Sequence, residues 1–477
     1  MSTLLLRQAE VEGERVDVRV EGDRIATVTP PGSASGADVE VECGGGALLP
    51  GLHDHHLHLL SMAASGDSLD VSSQLDQRIR DAHARALPGA AIRAVLYDDV
   101  GEGPLDRWRL DALAPGRAVR VQHRTGALWV LSTAALEQAG VRDDAEGGDD
   151  TGPSDHGAPD IERDRGGRPT GRLFRSDAWL QERLPVGDRT DRTDLTAVGL
   201  RLASFGVTGV TDCTPTVAVE YFETLARAVR NGTLPLTVAI TGGPQLSDLV
   251  PPPPLERGPV KILVTDHALP AFDDLRTWVT RAHRSGRPVA VHCVTRAALL
   301  LALAVWHEVG SVAGDRIEHA SVTPPEVIAA MAGLSLTVVT QPAFIAARGD
   351  AYLSEVDPAD RPDLYRCASL LAGGVAVGGS TDAPFGPDDP WIAMQAARER
   401  RAPSGRPVGS DRGLGPAAAL QLFLGPLEHP GGPARRISPG TPADLCLLDV
   451  PLHMALRDPS SRHVALTIAG GERTFTA

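Results

Sequence analysis

The 477 residues are too many for one small domain and leave room for roughly two to four, or for one α/β barrel of about 250 residues with additions. Hydrophobic residues at 42% and charged residues at 22% describe a globular chain with a large core, which excludes a disordered one. The formal net charge is -15, from 61 acidic and 46 basic residues with no basic stripe, and this argues against nucleic acid as a partner.

Five scattered cysteines (Cys43, Cys213, Cys293, Cys367, Cys446) form no CxxC pair, and their odd number fits a reduced cytoplasm better than a disulfide framework. The opening MSTLLLRQAE lacks a basic region followed by a long apolar stretch, so no signal peptide is expected. The longest apolar run, Ala297 to Trp306, is too short to cross a bilayer, so no membrane association is expected.

In chain order, the first elements are β structure. Val16, Val18 and Val20 alternate with polar residues, Gly22-Asp23 offers a turn, and Ile25, Thr27 and Val28 continue as a second strand. The tail has the same character, in DLCLLDV from Asp444 and HVALTIAGG from His463. Neither end could hold a core alone. The expectation is one small β-sandwich domain built from residues 1–49 and 433–477, enclosing a region 50–432.

Within that region eight apolar runs read as strands, beginning near Ala47, Val207, Leu236, Val260, Pro288, Asp315, Ser335 and Val375. From the second onward they recur every ~25 to 40 residues, the spacing of βα units. Continuous apolar runs suit a parallel sheet covered on both faces, so the predicted fold class is α/β, a (β/α)8 TIM-like barrel. A long insertion, about residues 62–200, follows the first strand. It carries a strand-like AVRVQHR from Ala118, a helical STAALEQAG from Ser132, and a Gly/Asp-rich segment over 143–160 that reads as a mobile loop or hairpin. The Pro251 to Pro254 run is a stiff linker into the strand that follows.

Active sites of βα barrels lie at the C-terminal ends of the strands, and several polar residues fall there. The first strand ends in PGLHDHHLH. His56 and His58, two apart on a strand, point the same way and can reach one metal ion. Asp54 shares that face as a candidate support for a ligand, while His53 and His55 point elsewhere. Lys261 lies inside an apolar strand, where an amine is costly unless paired or modified. Either a salt bridge to Asp266 or a carbamylated lysine would answer that cost. The fifth strand ends at His292, the sixth at His319 and the eighth at Asp382. Cys293 follows His292 and faces away, as packing.

These motifs resemble the amidohydrolase superfamily, and more narrowly its amidohydrolase 3 branch, which includes N-substituted formamide deformylases. PGLHDHHLH is similar to the family's PGxxDxHxH. ALWVLSTAALEQAGV and IERDRGGRPTGRL resemble parts of the branch's insertion. FGVTGVTD, VKILVTD, VHC, RIEHAS, TQPAF, GGSTDAPFGPDDP and SPGTPADLCLLD follow in family order over nearly the whole chain. The resemblance implies that His56, His58 and Asp382 bind the more buried metal. It also implies that His292 and His319 bind a second, and that a CO2-derived carbamate on Lys261 bridges the two. One or two divalent ions, Zn2+ above all, would serve a small-molecule substrate, and family members are often homodimers. The branch's Gly-His and Asn-Ser pairs are replaced here by Gly126-Ala127 and Ser132-Thr133, and Asp-Gly by Asp266-His267. The expected substrate contacts are therefore His123, His267 and Trp129.

The expected chemistry is hydrolysis of a C-N bond by metal-activated water, with Asp382 as the proton-transferring carboxylate and His319, His267 or His123 as donor to the oxyanion. No G-x-S-x-G elbow is present. A deaminase of the same superfamily is the rival reading, but no acid follows His292 before Glu308. A non-catalytic relative would be expected to have lost ligands.

Overall fold

All eight expected barrel strands form, and they lie side by side in one parallel sheet in chain order. They are β1 (Leu52–Leu57), β2 (Val207–Asp212), β3 (Thr237–Gly242), β4 (Leu255–Leu263), β5 (Val289–Cys293), β6 (Arg316–His319), β7 (Thr337–Thr340) and β8 (Ala376–Gly379). β4 starts directly after the Pro251 to Pro254 run, earlier than the apolar residues from Val260 suggest, because Leu255 already pairs with Val238 of β3. This computed structural model describes every residue except 1–2, 35, 67, 144–159, 175, 177–178, 181–182, 185–194, 216, 218 and 267–268. Most of the predicted Gly/Asp-rich segment, and His267, therefore lie outside the described residues.

The segment after β8 closes the barrel on β1. Asp382 N donates to His56 O at 2.8 Å and His58 N donates to Ala383 O at 2.9 Å. The buried Asp54 carboxylate accepts from Thr381 N at 3.1 Å and Thr381 Oγ1 at 2.5 Å. Helices cover the outside because their apolar residues recur at helical spacing. The helix Phe272–Arg284 buries Leu275, Val279 and Ala282, and the helix Arg296–Val309 starts at an N-cap where Thr295 Oγ1 accepts from Ala298 N at 3.3 Å.

Trp306 on that second helix is 1% exposed, and its Nε1 donates to Asp315 Oδ2 at 2.9 Å. Asp315 also accepts from Val289 N at 2.8 Å, so it joins this helix to the start of β5. Trp306→Ala is expected to cost about 3–5 kcal/mol through the cavity it opens, with Trp306→Phe falling between it and the parent. Urea midpoints measure both, and an unchanged midpoint for the alanine variant would contradict the packing described.

Both termini supply a β-sandwich. One four-stranded sheet comes from residues 3–42, and the other pairs Leu48–Pro50 with the strands Leu445–Leu448, Val464–Ala469 and Glu472–Thr476. Leu4, Leu6, Val18, Val20 and Ile25 share one core with Leu445, Leu447, Leu466 and Ile468. The predicted α/β barrel with terminal β-sandwich and an insertion after the first barrel strand is the observed fold.

Residues Leu60–Asp194 form a second compact unit. Its six-stranded sheet runs in the order Asp160–Arg163, Pro169–Phe174, Leu128–Leu131, Val119–His123, Ile92–Tyr97, Leu69–Asp70. Its own core includes Ile79, Tyr97, Leu110, Val121 and Val130.

Candidate metal centre

Six side chains from five strands meet at one mouth of the barrel. His56 and His58, at the end of β1, have ring centroids 5.5 Å apart. Asp382, just beyond β8, brings Oδ1 to 3.6 Å from His56 Nε2 and 3.2 Å from His58 Nε2. Lys261 Nζ on β4 lies 3.5 Å from His56 Nε2. The His319 ring is 4.9 Å from that of His56 and 4.4 Å from that of His292.

Strand alternation accounts for His292 but not for His319. In the β5–β6 ladder His292 pairs with Glu318, and Cys293 pairs with His319. Paired residues share a face. Cys293 faces the outer helix, its Sγ donating to Ala298 O at 3.6 Å, as expected for a packing residue. His319 would follow it outward. Instead His319 has φ 72° and Ala320 φ 46°, both left-handed, and the turn brings the imidazole back over the mouth. Asp382 has φ 55°. Left-handed backbone in non-glycine residues costs roughly 1–2 kcal/mol each, and here it sits where the polar side chains converge.

Hydrogen bonds engage the Nδ1 of three of the four rings, and His319 Nδ1 also lies 4.0 Å from Asp382 Oδ2. His56 Nδ1 donates to Glu318 Oε2 at 2.5 Å. His58 Nδ1 lies 3.3 Å from Thr214 Oγ1, which is 3.0 Å from the Tyr221 hydroxyl, and that hydroxyl donates to Asp212 Oδ2 at 2.6 Å. The chain has one consistent direction, from His58 through Thr214 and Tyr221 to the Asp212 carboxylate. His319 Nδ1 donates to Gln341 Oε1 at 2.8 Å, and Gln341 Nε2 donates to Ser380 Oγ at 2.9 Å. With each Nδ1 occupied as donor, each Nε2 is left as an acceptor.

Electrostatics agree with that picture. Burial, then the Lys261 charge, pushes the His56 imidazole down to about 3. Burial also pushes His292 well below the ordinary imidazole range and lowers His319. Burial works to raise the Asp382 carboxyl, but the surrounding His56, His58 and His319 outweigh it and hold it below the usual carboxylate range. Neutral imidazoles and an ionised carboxylate are the protonation states that bind metal. Lone pairs of His56 and His58 face the Asp382 carboxylate, and acceptors so arranged call for a cation among them. The donor set therefore fits a divalent ion.

Two expectations change in detail, those for Asp54 and Asp266. Asp54 does not support a His56 ring nitrogen; it accepts from His56 backbone N at 3.2 Å and from Thr381, as part of the barrel closure. Asp266 does not pair with Lys261, since it accepts instead from Thr295 Oγ1, and no carboxylate pairs with Lys261 among the described residues. His53 and His55 are buried in the fold. His123 and Trp129 belong to the Leu60–Asp194 unit. His123 Nε2 lies 3.2 Å from Asp99 Oδ1, and Trp129, 5% exposed, packs in that unit's core beneath the guanidiniums of Arg93 and Arg120.

Glu318, Thr214, Tyr221 and Gln341 were not singled out by the sequence reading. The signal for Glu318 was present as R-x-E-H. Two charges two apart on an apolar strand must share one face, and a buried pair is tolerable only if matched. Glu318 also lies close to His56 and Cys213 in a group with metal-binding geometry. That place is already taken by a cation: Arg316 Nε is 2.6 Å from Glu318 Oε1, and its guanidinium reaches Cys213 Sγ at 3.6 Å.

A (β/α)8 barrel with imidazoles, a carboxylate and a lysine at the carboxyl ends of its strands defines the class of barrel hydrolases. Comparison with known proteins narrows the class: the chain belongs to the amidohydrolase family, whose family description matches residues 39–475. It is a hydrolase of carbon–nitrogen bonds other than peptide bonds. An N-substituted formamide deformylase of Arthrobacter pascens is 27% identical over 495 aligned residues, covering 91% of this chain and 89% of that protein. The crystal structure of an uncharacterised metal-dependent hydrolase of Pyrococcus horikoshii OT3 superposes with TM-score 0.74 at 19% identity, covering 97% of this chain and 100% of the other. That of N-isopropylammelide isopropylaminohydrolase from Burkholderia multivorans ATCC 17616 gives TM-score 0.53 at 17% identity, with 99% and 98% covered. At these identities the two structures speak for the fold.

Proposed function

We propose that the protein hydrolyses the amide C-N bond of a small molecule, an N-formyl, N-acyl or cyclic amide, at a centre of one or two divalent ions, most simply Zn2+. His56, His58 and Asp382 would hold the more buried ion, and His292 and His319 the other, with Lys261 between them. The observation that carries this reading is the convergence of His56 Nε2, His58 Nε2 and Asp382 Oδ1 within 3.6 Å contacts. Imidazole nitrogen and carboxylate oxygen are zinc's ordinary donors. Likeness to a formamide deformylase over most of both chains supports the amide substrate.

When bound, the ion supplies Lewis acidity, lowering the pKa of water from about 15.7 to about 7. The chain's own groups do the rest. Asp382 orients the water and takes its proton, then returns it to the leaving nitrogen. His319, with Nδ1 engaged by Gln341, offers Nε2 as an acceptor, which favours a ligand role over that of oxyanion donor.

Lys261 supports a carbamate by a fact of composition. Among the 46 lysine and arginine residues it is the one lysine; every other is arginine. A guanidinium carries positive charge as an ammonium does, but it cannot add CO2 to become a carboxylate. The amine at 261 is buried beside His56 and pairs with no acid among the described residues. All five cysteines are buried free thiols, which supports the cytoplasm as the working compartment. Among the described residues no helix is long and apolar enough to cross a membrane.

The test is a hydrolysis screen over N-formyl, N-acyl and cyclic amides with zinc-loaded and chelator-stripped protein. Turnover of at least one amide that vanishes on stripping and returns with zinc is the expected result. Equal turnover in both preparations would overturn the reading.

A further inference from the structure

The four imidazoles at the mouth are supported unequally. His56 has a carboxylate directly on Nδ1, at 2.5 Å, from a glutamate with no exposed surface. On its Nδ1 side His58 reaches a carboxylate only through two hydroxyls, and the Nδ1 of His319 has a neutral amide. The His292 ring nitrogens have no hydrogen-bond partner among the described residues, while its backbone carbonyl accepts from Val264 N at 3.3 Å. A ligating histidine whose second nitrogen donates to a carboxylate is locked in one ring orientation and becomes a more basic ligand.

The carboxylate is itself supported. Glu318 and Arg316 stand two apart on β6, facing inward, and Arg316 Nε lies 2.6 Å from Glu318 Oε1. Arg316 is 2% exposed, and its guanidinium also donates to the Cys213 thiol at 3.6 Å. A lone buried carboxylate would be strongly disfavoured. Here one oxygen lies on the Arg316 guanidinium and the other on His56. Such a cation beneath a metal centre opposes metal binding unless its charge is offset, and Glu318 sits between it and His56.

We propose that Glu318, paired with Arg316, is a positioning residue that orients His56 and makes the ion at His56, His58 and Asp382 the tightly bound one. Glu318 touches neither substrate nor ion, and acts through the His56 ring. The inference rests on the metal-hydrolase reading above and adds an order of affinities to it.

The experiment measures zinc affinity in the full chain, stripped by chelation and titrated against a chromophoric competitor. Two variants are compared with the parent. Arg316→Met/Glu318→Gln removes both charges together, so no unpaired ion is left in the core. Glu318→Asp keeps the ion pair with Arg316 but draws the carboxylate back from His56. Melting by circular dichroism shows which variants are folded. Each folded variant is expected to bind its tightest zinc about 10–100-fold more weakly. The Co2+-substituted protein should show an altered visible absorption spectrum, which a merely structural change elsewhere would not produce. A folded variant with parental zinc affinity and an unchanged Co2+ spectrum would overturn the proposal. His56→Ala separates the two levels. If it too retains parental zinc binding, the metal-hydrolase reading itself fails. If it loses zinc while the folded Glu318 variants do not, only the role of Glu318 fails.

Discussion

Asp382→Asn in zinc-replete protein is expected to lower kcat by about 10²–10⁴-fold from lost proton transfer alone. The side chain keeps its size, so steric disturbance is small. What goes is the negative charge that faces His56 Nε2 at 3.6 Å and His58 Nε2 at 3.2 Å. An amide cannot take the proton of the attacking water, and its nitrogen would be a donor where a cation is needed. Zinc content should fall as well, since a ligand of one unit charge is removed. Steady-state hydrolysis of whichever amide the screen selects, with zinc measured on the same sample, separates the two losses. If zinc saturation restores binding but not kcat, the proton-transfer role stands. Full turnover in this variant would remove Asp382 from the chemistry.

Lys261→Arg should be as damaging as Lys261→Ala, against the usual ranking of conservative changes. A loss of at least about 100-fold in activity is expected, beyond what an outer support of a metal ligand typically contributes. The reason is chemical: an amine adds CO2 and loses a proton to give an anionic carbamate, and a guanidinium remains a cation. A second fixed cation 3.5 Å from His56 Nε2 would repel a metal ion. Partial rescue of the alanine variant by a short carboxylic acid, with none in the arginine variant, is the diagnostic result. Because the chain has one lysine, 13C NMR under 13CO2 has one side chain to report. A carbamate signal that persists in Lys261→Arg belongs to the terminal amine and would remove the carbamate from the centre.

The sequence by itself determined the barrel, because each strand is a continuous apolar run whose partners are the preceding and following runs. Local composition and order suffice for such a sheet. It also determined that His56 and His58 share one face, since periodicity two fixes that, and that His292 and Asp382 fall at the ends of their strands. The single lysine was equally legible, though a charge total that adds lysine to arginine conceals it.

Tertiary structure alone decided the rest. His319 reaches the mouth only because the backbone turns left-handed at its strand end, where alternation and its Cys293 neighbour would have sent it outward. Asp54 binds Thr381, 327 positions away, so no local pattern could assign it to barrel closure. Glu318 finds His56 at a separation of 262 positions. The six-stranded sheet of the Leu60–Asp194 unit includes an edge strand of two residues, too short for any periodicity to register. Local pattern fixes the face a side chain presents; only the closed chain fixes which distant group it meets there.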